Sequence, residues 1–146
     1  MYETIFRICN TVALLSWLLL IVFPRAKLTR YLVERLIVPL AFAVAYALLV
    51  AGSRSAFAAG GGFSSLAQVK TLFSFPAALL AGWLHYLAFD LFVGSRISRD
   101  RQRLGIGAYA VAPALVATFM FGPLGLLVYA LQRRVVIHRS QRGLHT

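Results

Sequence analysis

Four stretches of this chain are almost unbroken in apolar side chains: residues 4–23, 36–52, 72–94 and 107–131. Each is near the roughly 20 residues a helix needs to cross about 30 Å of hydrocarbon, with about 17 as the short limit. Polar connections separate them: PRAKLTRYLVER, then GSRSAFAAGGGFSSLAQVK, then SRISRDRQRLGI. A basic tail at 132–146, QRRVVIHRSQRGLHT, follows the last run. Backbone in lipid must satisfy its hydrogen bonds within its own segment, so the runs are expected to be helices. Short connections predict antiparallel neighbours. The expected fold is all-α, a single transmembrane domain over residues 1–146 built as an antiparallel four-helix bundle. Gly60-Gly61-Gly62 marks the connection with the composition of a flexible loop.

Composition strengthens this picture. The chain is 60% hydrophobic and 13% charged, where soluble domains carry about 25% charged residues. Its net charge is +11. The cations lie between the apolar runs, as membrane flanks that meet anionic lipid headgroups do, and nucleic acid is not an expected partner. The first connection carries Arg25, Lys27, Arg30 and Arg35, and the third carries Arg96, Arg99, Arg101 and Arg103. The second carries Arg54 and Lys70. This asymmetry favours a cytoplasmic place for the first and third connections. Four spans would then put the tail outside, with Arg133, Arg134, Arg139 and Arg142, against the same rule. Cys9, the single cysteine, reads as a small buried apolar residue.

The polar residues inside the runs are the candidates for chemistry. GWLHYLAFDLFVG, residues 82–94, holds His85, Tyr86 and Asp90 in a run meant for lipid. An Asp at the centre of a spanning helix costs about 2.5–3.5 kcal/mol, so Asp90 needs a partner, a water or a proton. At about 100° per residue, Trp83, Tyr86 and Asp90 share one helical face, while His85 and Asp90 stand about 140° apart. The latter pair can act together only across a substrate, a water or another helix. Counting depth along the helices puts Asn10, Tyr46, His85 and Thr118 in one polar layer, with Trp17 and Tyr109 nearer the level of Asp90. Asn10, Tyr46 and Thr118 read either as interhelical hydrogen-bond glue, worth about 0.6 kcal/mol each, or as the lining of a site. Pro123, in Gly122-Pro123-Leu124-Gly125, frees the carbonyl of Phe119. It produces either a kink or a broken helix that lines a cavity.

Several chemistries are poorly supported. His85, His138 and His145 are too few and too scattered for a di-iron centre. Lys27 and Lys70 lie in connections, so no span offers a Schiff-base lysine. Ser16 and Ser74 lack a visible base, and no GxxxxGK[ST] loop is present. Catalysis, where it occurs, is expected to be acid–base work without cofactor or metal, with His85 and Asp90 as the reacting pair.

GWLHYLAFDLFVG, followed by Asp100, resembles the signature of the ABA4-like family. NTVALLSWLLLIVFPR, residues 10–25, and FGPLGLLVY, residues 121–129, are similar to that family's first and last helices. The resemblance implies a small integral membrane protein. Plant members are needed to convert violaxanthin into neoxanthin, an isomerisation in which a proton leaves, an epoxide opens and an allene forms. It carries Asn10, Trp17, His85, Tyr86, Asp90 and Asp100 over as matching positions. Arg96 stands where the family pattern leads one to expect an apolar or aromatic residue.

The sequence is therefore expected to encode a carotenoid- or isoprenoid-modifying isomerase. Its substrate site would draw on Asn10, Trp17, Tyr46, Trp83, Tyr86, Thr118 and Pro123. With no transit peptide in view, the expected location is a bacterial inner membrane. The alternatives are a non-catalytic carotenoid- or lipid-binding protein or assembly factor, and a small transporter working as a homo-oligomer.

Overall fold

The structure, a computed structural model, describes the backbone of residues 1–142 and side chains up to His138. His145 and the side chains of Arg139 and Arg142 lie outside the described residues. Helix α1 (Tyr2–Val22) is followed by a short helical turn α2 (Lys27–Thr29) that continues as a π-helical turn over Arg30–Glu34. Helix α3 is Ile37–Gly52. Two short helices follow, α4 (Arg54–Ala58) and α5 (Leu66–Phe73), and then the long α6 (Pro76–Arg103). A 3-10 turn (Ala108–Val111) leads into α7 (Ala112–Phe121) and α8 (Pro123–Arg142).

Three helices are long and apolar enough to cross a bilayer: α1, the stretch from Lys27 to Gly52, and α6. Helix α6 is central and packs against α1, α3 and α7. Its buried positions include Leu80, Leu84, Leu87, Leu91, Ser95 and Ser98, steps of three and four that keep one broad face inward. Helix α1 buries Cys9, Ala13, Trp17 and Leu20 at the same spacing. Leu15, Leu18, Leu40, Val44, Leu48 and Phe89 point outward, which a lipid solvent allows. Hydrophobicity does not drive helices together in lipid, so close packing of small residues has to. Gly94 is such a point: a Cβ there would stand 2.7 Å from the Trp17 ring.

The second connection is ordered rather than free. The N–H of Gly61 donates to the Ala56 carbonyl at 2.9 Å, and the Ser65 side chain caps α5. The third run divides, because Pro76 fits the first position of a helix but cannot continue one from α5. Past residue 94 the helix goes on to Arg103, outside the apolar run.

The fourth expected span is not one helix. Gly122 has φ 51 and ψ −99, a conformation open to glycine, and Pro123 starts a new helix. The chain reverses there. Helices α7 and α8 pack side by side, and a Cβ on Gly125 would collide with the backbone and hydroxyl of Thr118. Farther down the pair, the Gln132 side chain donates to the Ala110 carbonyl at 3.1 Å. At about 1.5 Å per residue the ten residues of α7 rise about 15 Å, half the hydrocarbon thickness. Among the described residues the architecture is thus three helices able to span a bilayer plus a helical hairpin whose first arm reaches half that depth, and a four-helix bundle is not formed. Such a turn at membrane depth is tolerated where it is buried in protein or lines a cavity.

The hairpin returns α8 to the side from which α7 entered. Tyr129 and Arg133 both donate to Asp100 Oδ2 at 2.9 Å, binding α8 to the end of α6. Across from them, Glu34 accepts from Ser98 at 2.7 Å and from Gln102 at 2.9 Å, binding the first connection to the same end. The start of the tail, with Arg133 and Arg134, therefore joins the first and third connections on one cationic face, and for these two cations the conflict over charge disappears. Topology reporters at Gly105 and at the C-terminus are expected on one side of the membrane, and a reporter at Gly60 on the other. Gly60 and Gly105 both stand in open space. A tail on the side of Gly60 would restore the fourth span.

Candidate functional site

The hairpin tip sets its backbone beside the costly carboxylate. Asp90 is 8% exposed. A Cβ on Gly122 would lie 3.0 Å from its Oδ1, and Oδ2 has no hydrogen-bond partner among the described residues. The carboxyl stands at the N-terminal end of α8, where a helix dipole favours negative charge. One turn back on α6, Tyr86 faces the same space, and its hydroxyl donates to the Phe119 carbonyl at 3.4 Å. That carbonyl is the one Pro123 deprives of its helical donor.

These groups line a cleft of about 400 Å³ between α1, α6 and the tip of α7, within the range of small-molecule sites. Its apolar walls come from Ala13, Trp17, Leu87 and Phe119. Trp17 is 2% exposed and meets Phe119 at 5.6 Å between ring centroids. Leu14, Trp83 and Met120 form an exposed rim. At one end Trp83 Nε1 donates to Asn10 Oδ1 at 2.8 Å, and the Trp83 ring lies 5.4 Å from that of Tyr86. The cleft is an apolar slot with few polar atoms, and Asp90 holds the unsatisfied one.

His85 faces away from this cleft. Its ring lies 4.6 Å from Phe89 and 5.5 Å from Tyr46. With Tyr46, Ser53, Phe57 and Phe73 it lines a separate cavity of about 350 Å³. The angle of about 140° along α6 thus becomes a division between two spaces. The arrangement does not bring His85 and Asp90 to one substrate atom.

Thr118 is fully buried and donates to the Ala114 carbonyl at 2.8 Å, at the crossing with α8. It stands one turn before Gly122, which meets Asp90 rather than His85. Tyr109 is exposed in the 3-10 turn at the base of the hairpin, away from Asp90. The expected polar layer therefore resolves into an Asn10–Trp83 pair, a Tyr46–His85 pair and a hairpin threonine. Pro123 contributes through the turn it starts. Gly94 and Met120 were not singled out by the sequence, and Phe119 was marked only through the carbonyl that Pro123 frees. The small residue closing GWLHYLAFDLFVG was the available signal for Gly94, and nothing marked Met120.

Residues 4–129 match the ABA4-like family, described as ABA DEFICIENT 4-like. The chain belongs to that family. No curated protein and no solved structure matched it. The ABA4-like match runs from the first turn of α1 to Tyr129 in α8, so it includes α7, the hairpin turn and every residue of the Asp90 cleft. Family membership and three long apolar helices agree in marking a membrane protein.

Proposed function

We propose that this ABA4-like protein isomerises a carotenoid or related isoprenoid inside the bilayer, with the reacting end held in the Asp90 cleft. The observation that carries the reading is a buried carboxylate with an unpartnered oxygen in an apolar slot. The exposed rim of Leu14, Trp83 and Met120 would admit the substrate sideways from lipid, leaving its chain along α1 and α6.

In this reading Asp90 accepts a proton from carbon and Tyr86 donates one to oxygen. For an epoxide end group, loss of the proton next to the ring opens the C–O bond. The electron pair of the broken C–H bond becomes the new double bond, and the alkoxide takes the hydroxyl proton of Tyr86. Asp90 then returns its proton to Tyr86 through the substrate or a water, and product and substrate have the same atoms. Trp17 and Phe119 would hold the ring.

Expression in a carotenoid-producing host, with chromatography of the pigments, tests this directly. Wild-type protein is expected to convert pigment, Tyr86→Phe to slow conversion by about 10²-fold as a lost proton donor does, and His85→Ala to stay near wild type. Pigment that co-purifies unchanged would make the protein a carrier. Equal losses in the His85 and Tyr86 variants would remove the special place of this cleft.

A further inference from the structure

The cationic face holds a second polar site, about 16 Å along α6 from Asp90 at 1.5 Å per residue. Arg101 is 5% exposed, yet its Nε has no hydrogen-bond partner among the described residues. The ion pairs among those residues are Arg7–Glu3 and Arg133–Asp100, so none of them gives Arg101 a carboxylate. The nearby acids are engaged elsewhere: Glu34 by Ser98 and Gln102, Asp100 by Tyr129 and Arg133. A buried guanidinium without a counter-charge is costly.

Arg101 instead lines a cavity of about 340 Å³ with Arg25, Arg30 and Gln102. Arg30 also borders a wider cleft of about 890 Å³, where Arg99 has a second buried Nε without a partner among the described residues. Three guanidinium groups and an amide around one hollow offer planar, forked donors, the geometry that phosphate oxygens take best. The hollow is built where α1, an apolar helix long enough to cross a bilayer, ends at Val22, the place where a span would meet lipid headgroups.

We propose that the Arg25–Arg30–Arg101 cavity is a phosphate-binding site, filled by the phosphoryl group of an anionic phospholipid. Occupancy supplies the missing charge to Arg101 and ties the first connection to the end of α6. The same chemistry would take a soluble phosphate, and the test separates the two sources.

Full-length protein is placed in nanodiscs of phosphatidylcholine, with or without phosphatidylglycerol, and thermal unfolding is followed. Inorganic phosphate is titrated into the phosphatidylcholine discs in a parallel arm. Phosphatidylglycerol is expected to raise the unfolding temperature saturably, and native mass spectrometry to retain the lipid. Arg30→Gln, at an exposed position that tolerates change, and Arg101→Gln should each weaken this binding about tenfold, as loss of a charged hydrogen-bonding group does. Arg134→Gln, a cation on the same face outside the cavity, should change it less than about twofold. A saturable rise with inorganic phosphate and none with the lipid would assign the site to a soluble phosphoryl group and overturn the lipid assignment. No rise in either arm, or equal losses in Arg30→Gln and Arg134→Gln, would overturn the proposal as a whole. Neither result touches the Asp90 cleft, whose readout is pigment conversion.

Discussion

Asp90→Asn is expected to abolish pigment conversion while leaving the protein at least as stable as the wild type. The two effects share one cause. The wild-type carboxyl is buried with one oxygen unpartnered among the described residues, and an unsatisfied buried polar group costs about 1–3 kcal/mol, more when charged. An amide has the same shape and no charge. Its oxygen can accept from Tyr86, and its N–H can donate to the Phe119 carbonyl, which accepts from Tyr86 in the wild type. Stability should therefore hold or rise. An amide cannot take a proton from carbon, and losing a positioned general base lowers rates by about 10²–10⁴-fold. Pigment chromatography reads the first effect, and loss of helicity on titration with denaturing detergent reads the second. An Asp90→Asn protein that still converts pigment would make the carboxylate structural and leave the cleft without its base.

Gly125→Ala is expected to unfold the hairpin. The added methyl would meet the Thr118 N, Cα and Oγ1 atoms. The first two belong to the backbone, so no rotamer change relieves the clash. Overpacking in a tight core costs about 1–3 kcal/mol when side chains can move, and about 3 kcal/mol or more is expected here. The consequences extend beyond stability. Separating the arms takes Tyr129 and Arg133 off Asp100 and Gly122 away from Asp90, so the cleft loses one wall and conversion fails. Gly52→Ala and Gly107→Ala, where nothing lies within 4 Å of the new methyl, serve as controls and should behave as wild type. The same detergent titration, with proteolysis of the loosened arm, checks the result. A Gly125→Ala protein as stable as the controls would mean that α7 and α8 do not cross at Thr118.

Much of the site was legible along α6 because helical periodicity is local. A turn of about 100° per residue puts Trp83, Tyr86 and Asp90 on one face, and in the fold all three line one cleft. The same count separated His85 from Asp90, but it could not say what lay on either side. Here α1 and the hairpin tip flank Asp90, while α3, α4 and α5 flank His85. Arg101 was legible as a loop cation and nothing more. Its burial arises because the first connection folds over the end of α6, through Glu34, a residue with no local signal of that role.

The sequence by itself determined the solvent and the local geometry: apolar runs that must be helical in lipid, a carboxylate too costly to leave facing lipid, and cations gathered at the helix ends. The number of crossings was decided only in three dimensions. Gly122-Pro123 permits a kink as readily as a reversal, because the local backbone freedom of glycine and the missing proline donor are the same in both. The reversal is held by contacts remote in sequence, Tyr129 and Arg133 on Asp100, together with the close approach of Gly125 to Thr118 across the turn. Those contacts turn a fourth apolar run into a half-depth hairpin and bring its tip to Asp90.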